Sequence, residues 1–163
     1  MTEQIQADPR DIIEAFRERV LQLAEYIREW TAGDPSLRVE ITDQDIEDAL
    51  GHYKVAQVAV SRSGVRIARF VPLSAAVIGA QGRIDVDGPS DRAVILFLEG
   101  PGTIETRVGS QGSEAEVRRT PIFRGVRGPG WYWSSDPRSR DVRLLEASTF
   151  RSLIAMVADY EII

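Results

Sequence analysis

Residues that activate nucleophiles or shuttle protons near neutral pH are scarce in this 163-residue chain: His52 is its one histidine, Lys54 its one lysine, and it has no cysteine. That census removes thiolate nucleophiles and cysteine-containing zinc sites, and it leaves a single imidazole to move protons near neutral pH. Carboxylates, or a hydroxyl activated by His52, would have to carry any catalysis. The serines offer no support, because G-x-S-x-G is absent and Gly109-Ser110-Gln111-Gly112 lacks the strand-to-helix setting that exposes a nucleophile. The glycines of Gly79 to Gly82 and Gly125 to Gly130 lead into expected strands and carry no Walker lysine, so they read as turns and not as phosphate cradles.

Metal chemistry has one candidate segment, Thr42 to His52. On a helix Asp45, Asp48 and His52 would share one arc, because steps of three and four return to the same side. That arc lies opposite Ile46, Leu50 and Tyr53, so it would face solvent, where supporting hydrogen bonds are hard to supply. An EF-hand fails on two counts counted from Asp43: Asp48 stands where glycine is needed and Lys54 where a bidentate acid is needed. Catalytic residues, metal and cofactor are therefore all expected to be none.

The strongest binding signal is a run of arginines around an aromatic triplet: Arg118, Arg119, Arg124, Arg127, Trp131, Tyr132, Trp133, Arg138 and Arg140. Tryptophan and arginine are the residues enriched at the energetic centres of interfaces, and loops on a rigid sheet commonly carry binding. If Trp131 to Trp133 is extended, both indoles share one face and Tyr132 points away. Arg124, Arg127, Trp131, Trp133, Arg138 and Arg140 are thus the expected partner-binding residues. The competing reading makes the tryptophans core and leaves the arginines to solvate their rim. Nucleic acid is not expected, since no helix-turn-helix, RRM or KH signature accompanies these residues and lysine is nearly absent.

The elements that must position these residues follow from periodicity. Asp8 as N-cap and Pro9 in the first turn open a helix that Gly33 and Pro35 stop, and Ile13, Phe16, Val20, Leu23, Ile27 and Trp30 form its apolar seam. The seam is expected to pack on the protein's own sheet, with Asp11, Glu14, Glu18, Glu25 and Glu29 on an acidic back. A short strand over 37–41 precedes a second helix opened by Thr42, whose buried face is Ile46, Ala49, Leu50 and Tyr53. Beyond Val55 the period changes to two. Strands are expected through Val60, then over 65–70, 76–78, 83–87, 93–99, 103–108, 115–119, 131–133 and 141–145, with turns at Gly and Pro. Ser148 caps a closing helix with Phe150, Leu153, Ile154 and Val157 on one side, and the apolar tail from Tyr160 should dock. The expectation is one α+β domain over 1–163: an antiparallel meander of about six to eight strands, two N-terminal helices and one C-terminal helix.

Composition sets the remaining bounds. The apolar fraction of 43% and net charge of -5 suit a globular chain that needs no staple, and no apolar run is long enough to span a bilayer. The first residues lack a basic and apolar leader, so a cytoplasmic location is expected. Nineteen of twenty basic residues are arginine, which points to a GC-rich bacterial genome. Charge is uneven: residues 1–51 hold thirteen acids against five arginines, whereas 118–143 hold seven arginines against two aspartates. The expected function is a noncatalytic bacterial protein-interaction domain of adaptor, immunity or regulatory type, monomeric, with a protein partner and no membrane. Its rival is a small-ligand-binding protein or carboxylate-dependent enzyme with a pocket in the curved sheet. A filled core would favour the first, and a closed pocket with a buried, strongly shifted acid the second.

Overall fold

A computed structural model describes residues 7–109, 116–136 and 138–162. Helix α1 spans Pro9–Thr31, with the Asp8 carboxylate accepting from the Arg10 amide at 2.9 Å. Its seam is intramolecular: Phe16, Val20, Leu23 and Ile27 are buried against the sheet, and Ile13 and Trp30 pack at the margin of the same core. Nine strands follow among the described residues, and α2 spans Ala147–Ala158. Strands β1 (Leu37–Asp48), β2 (Gly51–Arg62), β3 (Val65–Ser74), β4 (Arg83–Asp87), β5 (Arg92–Leu98), β8 (Gly130–Trp133) and β9 (Arg143–Leu144) form one antiparallel sheet in that order. Strands β6 (Thr103–Val108) and β7 (Glu116–Pro121) pair separately as a two-stranded ribbon.

The expected second N-terminal helix is not formed. Residues 42–53 instead make the distal half of the β1–β2 hairpin, in which Ile46 pairs with Tyr53 and Asp48 with Gly51. A hairpin closed by two residues places positions seven apart directly across from each other, and a helix puts the same separation on one face. The Ile46-to-Tyr53 spacing therefore fits both. The β-branched residues of β2 and the positive φ of Gly51 (123°), which closes the turn, favour the hairpin. Smaller differences lie at the expected strand over 76–78, where only a bridge between Val77 and Ala80 forms, and at β9, which keeps two residues of the expected five. The closing helix starts two residues earlier than expected, with Glu146 and not Ser148 at its N-cap. Residues 110–115 and Ile163, on which part of the 115–119 strand, the Gly109-to-Gly112 turn and the tail were placed, lie outside the described residues.

Cross-strand register builds the core on one face of the sheet. Val58, Phe70, Val86 and Ala93 form one row across β2 to β5, and Ile84, Ile95 and Trp133 form another across β4, β5 and β8. Both helices lie on this face. Phe150 of α2 sits between Phe70, at 6.2 Å between ring centroids, and Trp30 of α1, at 5.2 Å. The Val157 carbonyl near the end of α2 accepts from the Ser90 and Asp91 amides at 2.8 and 3.2 Å, so the β4–β5 turn clasps the helix. Gly88 permits that approach, since a Cβ there would meet the Val157 carbonyl oxygen at 2.2 Å. On the opposite face a smaller cluster of Leu98, Tyr132, Ala80 and Val142 lies under the loops that follow β7 and β8.

Candidate protein-docking groove

Strand β8 carries the aromatic triplet, and its alternation sends the three rings to two faces. Trp131 opposes Phe97 and Trp133 opposes Ile95 on the helix side, whereas Tyr132 opposes Leu96 on the other. The two indoles are only 5% and 4% exposed, so they belong to the core and do not stand out as paired surface anchors. The shared face is as the sequence implied, but the surface it was meant to supply is internal. Trp131 is fixed by its indole N–H, which donates to the Arg19 carbonyl of α1 at 3.2 Å, and by Phe97 and Phe16 packed against its ring.

The four arginines of the expected site lie elsewhere. Tyr132 accepts from the Arg127 amide at 3.0 Å and donates to the Gly128 carbonyl at 2.8 Å, which folds the loop containing Arg127 over the outer face. The Arg124 amide donates to the Arg140 carbonyl at 2.9 Å, bringing those two residues together, and the Arg124 guanidinium pairs with Asp141 at 3.0 Å. Arg138 belongs to an exposed turn, its amide donating to Asp136. The structure thus joins Arg124 with Arg140 and seats the loop of Arg127 over Tyr132, whereas Asp136 and Ser139 of the turn that carries Arg138 share a cavity with Trp133 and Ser152.

A groove of about 630 Å³ runs between α1, the β8–β9 end of the sheet and the start of α2. Its floor is Leu23, Trp30, Phe97, Trp131 and Leu145, and its rim carries Glu18, Glu29 and Glu146. Tyr26 and Leu144 stand at its sides, 42% and 40% exposed, and Tyr26 stacks on Trp30 at 5.6 Å with 13° between the rings. A cation is already held on one aromatic wall: the Arg19 guanidinium lies 4.2 Å from the centre of the Phe97 ring and pairs with Glu99 at 2.8 Å. Sequence reading placed Glu18 and Glu29 on a solvated helix back and passed over Tyr26. The signal was present in the aromatic pair at 26 and 30, one helical turn apart and off the centre of the seam.

The metal candidate is taken apart by the hairpin. Asp45 and His52 approach to 3.8 Å as exposed side chains, but Asp48 points elsewhere. It accepts from the Tyr53 hydroxyl at 2.5 Å, the Ser74 hydroxyl at 2.9 Å and the Leu50 amide at 2.9 Å, and the Tyr53 oxygen accepts from the Ala75 amide at 3.0 Å. Burial raises the Asp48 pKa, but the bonds from Tyr53, Leu50, Ser74 and Ala75 outweigh it and hold the carboxyl below its usual range. Burial and the neighbouring Asp48 carboxylate push the Tyr53 hydroxyl well above its ordinary value. These groups pin the hairpin arm to the end of β3. Among the described residues no group of three His, Cys, Asp or Glu is placed to hold a metal, and no helix is long and apolar enough to cross a membrane. Compared with known protein families, with curated proteins and with solved structures, the chain matches none.

Proposed function

We propose that this is a noncatalytic bacterial protein-interaction domain, of adaptor, immunity or regulatory type, acting as a cytoplasmic monomer. The observation that carries the reading is the groove between α1 and the β8–β9 end of the sheet, where apolar floor and charged rim adjoin. Exposed apolar area ringed by polar groups is the surface pattern of protein docking. The filled core supports the same choice over a ligand pocket inside the sheet, because Phe70, Ile84, Ile95, Phe150, Leu153 and Ile154 occupy the space between sheet and helices.

The exposed side chains of Arg124, Arg127, Arg138 and Arg140 enter the proposal as a second contact surface. Trp131 contributes through the groove wall, and Trp133 through the core behind it. The test is recovery of a partner from the native host followed by rebinding of the two purified proteins. A partner whose rebinding is lost with Leu144→Asp, while the variant keeps its unfolding midpoint, supports the groove. A partner that rebinds equally well to Leu144→Asp but is lost with Arg124→Ala and Arg127→Ala moves the site to the arginine loop.

A further inference from the structure

Resting on the reading of the groove as a docking site, we infer that its occupant is a basic amphipathic helix of a partner protein, about three turns long. Charge is the first argument. Glu18, Glu29 and Glu146 surround the floor, and neither Glu18 nor Glu29 is taken up in an ion pair among the described residues. Among the described residues the groove wall holds one cation, Arg19, which is already committed to Phe97 and Glu99. Lysine or arginine from a partner meets carboxylates and aromatic faces together, the combination that holds Arg19 in place.

Shape is the second. The groove follows α1 from Glu18 to Trp30, a rise of about 18 Å at 1.5 Å per residue, which matches roughly three helical turns. Along that length α1 presents Glu18, Gln22 and Tyr26 at steps of four, the ridge into which another helix packs its own rows. An extended peptide finds a poorer template. The neighbouring sheet edge, β9, is two residues long, and the Leu145 amide just beyond it already donates to the Trp131 carbonyl at 2.8 Å. Strand addition needs a longer row of free backbone groups.

The test uses three fluorescein-labelled twelve-residue peptides read by anisotropy against the whole chain. One arranges Leu and Lys with apolar positions at i, i+3, i+4 and i+7, one replaces every Lys with Glu, and one keeps the basic composition but carries two internal prolines. The basic helical peptide is expected to bind about tenfold or more tightly than either control, and to weaken as salt rises from about 0.05 to 0.3 M. The double variant Glu18→Lys, Glu29→Lys should reverse the preference between the Lys and Glu peptides. If the Glu or proline peptide binds best and Leu144→Asp abolishes that binding, docking in the groove stands and the basic helix is overturned. If no peptide responds to Leu144→Asp or to the Glu18, Glu29 double variant, both this inference and the groove are overturned.

Discussion

Strand β8 separates two surfaces built on different principles. On the helix side, an apolar floor that includes Trp131 and Trp30 adjoins the acidic residues Glu18, Glu29 and Glu146. On the other side, Tyr132 is sealed beneath a loop whose arginines are wet, one of them paired with Asp141 while both partners are about two-thirds exposed. Arginine density makes the second surface conspicuous in sequence, and Leu96, Phe123 and Val142 line a cavity beside Tyr132 on that face. The first surface is inconspicuous because its parts come from residues 18–30, 97, 129–131 and 144–146. The contrast teaches that density of one residue type along the chain is a local property, whereas a surface that joins apolar area to carboxylates is assembled by the fold from distant segments.

The largest effects should come from the helix side. Phe150→Ala removes the ring between Phe70 and Trp30 and should cost about 3 to 5 kcal/mol in urea unfolding, with Ile27→Ala at about 2 to 5. A Phe150→Ala loss below about 1 kcal/mol would mean that this layer is not the main core. Next comes the clasp between the β4–β5 turn and α2. Gly88→Ala should cost about 1 to 3 kcal/mol and speed amide exchange at Ser90 and Asp91, because the added carbon meets the Val157 carbonyl. Unchanged exchange at both amides would show that the turn tolerates the methyl.

The hairpin arm gives a pH-dependent comparison between its two titrating groups. Asp48 sits below its ordinary 3.8, so its contribution is present above that value and disappears as pH falls through the folded-state pKa. Tyr53 is shifted the opposite way, so its contribution is present below its ordinary 10.0 and is lost at higher pH as the hydroxyl ionises. In urea midpoints recorded against pH, Asp48→Asn should flatten the acid limb and Tyr53→Phe the alkaline limb. An acid limb untouched by Asp48→Asn would assign it to other carboxylates. The smallest effect belongs to the arginine surface: Arg124→Ala should leave stability within about 0.5 kcal/mol, as an exposed pair contributes little. With Trp30→Phe removing the partly exposed indole, acrylamide should quench the remaining fluorescence weakly, since Trp131 and Trp133 are buried. Strong quenching would return those two rings to the surface.

The parts of the fold that local pattern controls were legible. The α1 seam from Ile13 to Trp30, the strands at 83–87 and 103–108 and the buried face of α2 each have one period that matches one element. The distal β1–β2 hairpin was not, because Ile46, Leu50 and Tyr53 satisfy a helical spacing and only their cross-strand partners decide between the two. The same limit applies to the site. The shared direction of Trp131 and Trp133 follows from alternation within β8, but whether that direction meets water or a helix depends on α1, more than a hundred residues away in sequence. Tyr26 and Leu144 could be recognised as neighbours only after the sheet order was known.

Strand β1 is twelve residues long and lies at one end of the sheet, so among the described residues it has a hydrogen-bonded neighbour on one side only. A flat edge of that length is a template on which a second copy could stack. Here Glu40, Asp43, Asp45 and Glu47 line it as exposed side chains, and two such edges brought together in antiparallel fashion would oppose like charge. Such an acidic rail opposes edge-to-edge stacking of crowded copies. Glu40→Thr with Asp43→Thr and Asp45→Thr should raise light scattering in concentrated samples before any unfolding is seen; clear solutions of that variant would show that the strand needs no such guard.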